Sequence, residues 1–364
     1  MSETQPTHPY AGRPADLLDQ ALARRAAGAF DDAHRLAAAA LTGLDDSDAP
    51  RPQVVTALLV LGQLDQELGR HDAAEAAFQR AAAIAAEIGD AEPLLVHAQV
   101  ALANLLRVLG RYPDAEALFR RTLHLAETSR GPDAIEVADV CNALAITYKY
   151  TGRFDAAEAL YRRALVITER ILGPDHPDAA SIHHNLGGLA HARGEFQQAE
   201  APARRAVELR ERALGPDSLD VAADKAALAS ILDALGRYDE AEGLLHDALA
   251  VFERSYGPDH YEIAVNLNNL AAIHHRRGDF AQAEALYRRA LAIKETVLGE
   301  VHPELAPTLN NLGLVRKERG DFDEALELFS RAVRTLEHVV EPGHPTVIAC
   351  RGHQDALRHA GAAT

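Results

Sequence analysis

The 364-residue chain has no tryptophan, one methionine and two cysteines, and aromatic residues make up only 5% of it. Cys141 and Cys350 lie far apart, which argues against a disulfide framework and against a cysteine-based zinc site. No run approaches the roughly 18 apolar residues of a membrane span. Residues 1 to 14 are polar, without an apolar signal core, so the expectation is a soluble, cytoplasmic protein. Lysine and arginine total 37 against 54 acidic residues, a net charge of −17. Such a chain repels nucleic-acid phosphates and anionic membranes, and it favours a neutral or basic protein or peptide partner.

What is abundant is alanine and leucine, within a hydrophobic share of 48%. These are the strongest helix formers, whereas strands prefer β-branched and aromatic residues. An all-α protein is expected, with apolar material enough to exclude wholesale disorder. The alanine- and arginine-rich usage also suggests a high-GC bacterial source.

One phrase recurs along the chain: glycine, any residue, an aromatic, two residues, alanine. Its glycines are Gly28, Gly69, Gly110, Gly152, Gly194, Gly236, Gly278 and Gly320, 41 or 42 residues apart, with His71 replacing the aromatic in the second unit. Counting from the anchor glycine, leucine at −8 precedes a small residue at −7 in every unit but the first, as in Leu144-Ala145 and Leu312-Gly313. Alanine follows at +5, a large residue often stands at +9, and alanine usually at +12, as in Ala157, Tyr161 and Ala164. These spacings predict two helices per unit, with the anchor glycine ending the first. Gly-Pro-Asp at 173–175, 215–217 and 257–259 punctuates the links. Its aspartate is expected to cap the next helix, and Pro177 or Pro303 suits a first turn. The linker histidines (His176, His260, His302, His344) recur with the repeat and read as structural.

The leucine–small pair, the glycine–aromatic corner, the alanines, the link Leu172-Gly173-Pro174-Asp175-His176-Pro177 and the phrase Asn268-Asn269-Leu270-Ala271 resemble the tetratricopeptide repeat, in the 42-residue form of kinesin light chains. The resemblance implies a right-handed α-solenoid of eight antiparallel helix pairs over residues 14–341. A flexible segment, 1–13, precedes it, and a capping helix and tail occupy 342–364. The first two units fit least well, because Asp65 and His71 stand where apolar residues are expected. It also implies that function lies on a concave face lined by first helices, with each unit stabilised only by its neighbours.

On each first helix, positions −13, −10, −9, −6, −3 and −2 form one stripe, which the resemblance assigns to the groove. Of eight asparagines, six fall at −10 or −9: Asn142, Asn185, Asn268, Asn269, Asn310 and Asn311. Asparagine is a mediocre helix-interior residue, so this confinement needs a reason. A carboxamide both donates and accepts, and a row of them can grip the backbone of an extended peptide. A second reading has them bond the adjacent helix and fix repeat geometry. The −3 row reads Lys149, His191, Asp233, His275 and Lys317, joined by His184 and by Tyr150 and Arg276 at −2. Arginines such as Arg162-Arg163 and Arg288-Arg289 belong to the opposite surface, paired with nearby acids.

The fifth unit departs from the pattern. Gly187 and Gly188 sit together in its first helix, Pro202 in its second, and Ala203 where Tyr161 and Tyr287 stand elsewhere. The helix is expected to kink at Pro202, and the small residues suggest a notch that admits a bulky partner side chain. His184, His191, Asp233 and His275 are candidate ligands for zinc, iron or copper, although no HExxH motif accompanies them. No phosphate-binding glycine loop and no nucleophile–histidine arrangement stands out, and Cys141 at −11 reads as core. The expectation is a non-catalytic interaction scaffold with no cofactor. A metal- or ligand-dependent enzyme centred on the fifth unit and a self-associating array are the alternatives.

Overall fold

A computed structural model describes residues 13–46, 50–88, 92–336 and 345–361. The expected flexible segment (but for Arg13), the link carrying His344 and the last three residues lie outside the described residues. Seventeen α-helices and one 3₁₀ turn make up the described structure, which divides into two compact units at His176. The first unit holds α1 (Pro14–Ala26), α2 (Phe30–Asp45), α3 (Arg51–Glu67), α4 (His71–Ala86), α5 (Glu92–Val108), α6 (Tyr112–Arg130), α7 (Ile135–Tyr150) and α8 (Phe154–Leu172). The second holds α9 (Pro177–Ala192), α10 (Phe196–Leu214), α11 (Leu219–Ala234), α12 (Tyr238–Tyr256), α13 (Tyr261–Arg276) and α14 (Phe280–Leu298). It ends with the turn Pro303–Leu305, α15 (Ala306–Glu318), α16 (Phe322–Leu336) and α17 (Pro345–Gly361).

All eight anchor glycines have φ between +70° and +86°. At Gly152 the reason is visible: Arg153 N–H reaches back to Tyr148 O at 2.8 Å and Gly152 N–H to Lys149 O at 3.2 Å. This pair of bonds closes a helix only when the residue between them is left-handed, which a side chain opposes. The helix starts differ from expectation. Ser218 Oγ accepts from Asp220 N–H, and His260 and His302 Nδ1 accept from Glu262 and Glu304 N–H, each at 3.3 Å. The first helical residue follows the serine or histidine directly, so the aspartate of Gly-Pro-Asp lies one position too early to cap.

The core repeats one contact. The small −7 residues Gly62 and Gly313 lie against the rings of Phe78 and Phe329 at +9 of the partner helix, and the +9 residues Phe78, Phe119, Tyr161, Tyr287 and Phe329 are fully buried. Within each unit, successive first helices touch one another (α9 with α11, α11 with α13, α13 with α15), whereas among the described residues successive second helices do not. First helices therefore form the inner layer of each unit. Helix α17 packs on both α15 and α16, as the first helix of a further repeat. Outside, acids at +6 bond an arginine near the next corner: Glu75 with Arg111, Glu116 with Arg153, Glu200 with Arg237, Glu242 with Arg277. Arg162, Arg163, Arg288 and Arg289 are paired with Glu158, Glu127, Glu284 and Glu253.

In the first unit, Asp65 is buried because His34 Nε2 stands 2.9 Å from it, with Arg70 at 3.9 Å. The departure from an apolar residue there is a partnered one. In the fifth repeat, α10 runs unbroken through Pro202. Gly187 lies so near α10 that an added Cβ would stand 3.2 Å from both Ala203 Cβ and Ala203 N and 3.3 Å from Ala199 O. The expected notch is closed: with no ring at Ala203, the two helices approach backbone to side chain, and Ala203 is buried.

Candidate functional site

The inner stripe of the second unit separates into two rows with different partners. At −10, side chains turn toward the residue forty positions later, on the next first helix. His184 Nδ1 lies 2.7 Å from Asp224 Oδ1, Thr308 Oγ1 donates to Asn268 Oδ1 at 3.1 Å, and the Cys350 thiol donates to Asn310 Oδ1 at 3.4 Å. Asp224 is only 3% exposed and also has Arg210 Nε 2.7 Å from its Oδ2. Buried charge is tolerated here because both oxygens face a basic group. The fourth place in this row is empty of polarity. It is held by Ala226, and Asn266, forty positions on, donates through Nδ2 to Glu262 O at 2.8 Å while its buried Oδ1 has no hydrogen-bond partner.

At −9 the partners are different. Asn311 hydrogen-bonds the buried Tyr287 hydroxyl, whose pKa burial pushes up. Asn269 is half-buried, and its carboxamide makes no hydrogen bond among the described residues. Asn185 is half-buried on the same row, and Ala227 occupies it in the sixth repeat. Of the asparagines at −10, Asn268 and Asn310 thus bond the next first helix, as the second reading has them.

The −3 row is mostly engaged. His191 meets Phe196 edge to face at 5.3 Å, and His275 meets Phe280 likewise at 5.9 Å, with Glu318 3.6 Å from its Nε2. Asp233 pairs through Oδ2 with Arg276, and its buried Oδ1 has no partner. Lys317 makes no ion pair among the described residues. The candidate metal ligands His184, His191, Asp233 and His275 thus face Asp224, Phe196, Arg276 and Phe280. Among the described residues no three His, Cys, Asp or Glu side chains are placed to hold a metal ion. An open cavity of about 360 Å³ lies at the corner of the fifth repeat, lined by residues 194–198, Ala234 and Leu235, rather than at Ala203.

In the first unit, Tyr150 is 63% exposed, stacked on Tyr112 at 6.3 Å, with the Arg107 guanidinium 5.7 Å from its ring centre. Burial pushes the Lys149 ammonium pKa down, and Lys149 has no ion pair among the described residues. Asn142 is half-buried on α7. Cys141 is fully buried and burial lifts its thiol pKa to about 11, as suits a core residue. Asp224 and Asn266 escaped the sequence reading. Their signal is a polar residue at −12 in three successive repeats (Asp224, Asn266, Thr308), all buried. Among the described residues, no helix is long and apolar enough to cross a membrane.

Comparison with known proteins agrees with this architecture. The tetratricopeptide repeat pattern matches residues 94–169, 141–212, 221–296 and 262–338, and a second form of it matches 55–88. No curated protein matches. Among solved structures, BtubC (BKLC) from P. vanneervenii is similar, at 28% identity over 68% of this chain and 94% of that one, TM-score 0.51. A Rap protein solved in complex with Competence and Sporulation Factor shares the fold at 16% identity, over 96% of this chain and 98% of that one, TM-score 0.58. So does the tetratricopeptide repeat sensor of a signal-transduction ATPase from Pyrococcus horikoshii, at 12% identity over 90% and 50%, TM-score 0.62. With its repeats matched over more than half of its length, the chain belongs to the tetratricopeptide repeat family.

Proposed function

We propose that this chain is a non-catalytic scaffold that binds an extended peptide segment of a partner protein along the inner stripe of first helices. The observation that carries it is Asn269: a half-buried carboxamide on that stripe whose donor and acceptor are both unused among the described residues. Such a group, flanked by half-buried Asn185 and Asn311 on the same row, suits the alternating N–H and C=O of an extended backbone. The Rap protein that shares the fold was solved in complex with Competence and Sporulation Factor, and a fold that holds a partner there is in keeping with this reading. The row at −10 has a different task, holding successive first helices in register.

The test separates the two rows. Random twelve-residue peptides displayed on phage are selected on the immobilised full chain, and the selected peptides are titrated against Asn269→Ala and Asn268→Ala. Asn269→Ala is expected to weaken binding at least tenfold with an unchanged melting temperature. Asn268→Ala is expected to lower the melting temperature, since it leaves Thr308 without its acceptor. Selected peptides that bind Asn269→Ala as tightly as wild type would sink the proposal.

A further inference from the structure

Resting on that reading, we infer that the trough along α11 selects a basic side chain of the bound peptide. On the inner face of this helix the residues are Ala226, Ala227, Ser230 and Asp233, where the stripe of α9 carries His184, Asn185 and His191, and that of α13 carries Asn268, Asn269, His275 and Arg276. Ser230 turns its hydroxyl back to Ala226 O at 3.2 Å, so between Ala226 and Asp233 nothing longer than a methyl group projects. At a rise of 1.5 Å per residue this bare stretch is about 10 Å long, enough for one long side chain to lie along it.

Small residues alone define no ligand. Two buried acceptors that border the stretch do. Asn266 is 1% exposed, and at three equivalent places the −10 side chain meets the residue forty positions on. Here the −10 residue is Ala226, whose side chain carries no donor, and Asn266 Oδ1 has no hydrogen-bond partner. At the other end, Asp233 Oδ1 is likewise buried without a donor, although Oδ2 holds Arg276. Both unmatched atoms are acceptors, so the complementary ligand brings donors. The group at the deeper charge, Asp233, is a carboxylate, and the chain carries a net charge of −17, so cationic segments are the ones concentrated at its surface. A lysine or arginine stem covers the alanines, and its head group donates to Asp233 in exchange with the half-exposed Arg276. One cation replaces another on a carboxylate that is only 16% exposed, so the charge of Asp233 stays matched throughout the exchange.

The same phage selection tests this, run in parallel on wild type, Asp233→Asn and Ala226→Asn/Ala227→Asn. The double substitution gives α11 the pair found on α13 and offers Asn266 the donor it lacks. Lysine or arginine is expected to be enriched at one position of the wild-type peptides. Replacing that residue by glutamine is expected to weaken binding at least tenfold to wild type and less than twofold to Asp233→Asn. The double variant is expected to melt higher and to lose the enrichment. Peptides that need Asn269 but show no basic enrichment would overturn this inference and leave the peptide-binding reading standing. So would enrichment of serine, threonine or asparagine instead, or basic enrichment that persists in both variants. Peptides indifferent to Asn269 would overturn both.

Discussion

Gly313 on α15 lies under the ring of Phe329 on α16 so closely that a methyl group on its α-carbon would stand 2.7 Å from the ring Cε1. Phe329 is fully buried and has no room to retreat. Gly313→Ala therefore brings overpacking, typically about 1–3 kcal/mol, against a gain in helix propensity of about 1 kcal/mol. The expected outcome is net destabilisation, read as a lower midpoint in urea with an unchanged slope. Phe329→Leu in the same background is expected to recover part of the loss, because the clash is with the ring.

Gly243 gives the opposite sign for the same substitution. It lies inside α12, exposed, and an added Cβ would meet nothing within 4 Å. Gly243→Ala is expected to raise stability by about 1 kcal/mol, through backbone entropy and helix propensity alone. A lower urea midpoint would show that the open space is occupied in solution.

The contrast between these two glycines shows what was legible in the sequence. The anchor glycines, the alanines and the small-against-large pairing of −7 with +9 recur as residue types, so they announce the repeat. The link between −10 and −12 of the next repeat does not recur as a type: it is His184 with Asp224, Asn268 with Thr308, Asn310 with Cys350. Only its geometry is periodic. The asparagines read as one ladder for a related reason. Positions −10 and −9 differ by about 100° around a helix, so neighbours in sequence meet different partners: Asn310 accepts from Cys350 on the next first helix, whereas Asn311 bonds Tyr287 on α14. The closing of the fifth repeat was illegible because a lost ring can leave a hole or draw two helices together, and only packing decides.

Asp224 is the most consequential of the residues that the pattern concealed. Replacing it with alanine leaves Arg210, 17% exposed, and the His184 ring without their shared acceptor. Removing one partner of a buried ion pair typically costs about 3–5 kcal/mol. Asp224→Ala is therefore expected to destabilise far more than His184→Ala, since His184 is 39% exposed and its loss leaves Asp224 still facing Arg210. Equal losses in calorimetry would mean that the histidine, rather than the arginine, carries the buried charge.

The outer arginines are expected to set the acid limit of the fold. Hydrogen bonds from Arg153 and from Arg204 hold the carboxyls of Glu116 and of Glu200 below the ordinary carboxylate range, against an opposing push from burial, and Glu240 is held down by Arg204 in the same way. A carboxyl whose pKa falls on folding adds stability above its unfolded value, near pH 4.3 for glutamate, and loses it as pH falls through the lower folded value. The urea midpoint is thus expected to vary little between about pH 7 and pH 5 on account of these groups and to fall below about pH 4. Glu116→Gln removes one such carboxyl and should flatten the acid limb while lowering stability at neutral pH. An acid limb of unchanged steepness in this variant, with stability at pH 7 also unchanged, would mean that the Arg153 pair is fully screened by solvent and that the acid transition has its source elsewhere.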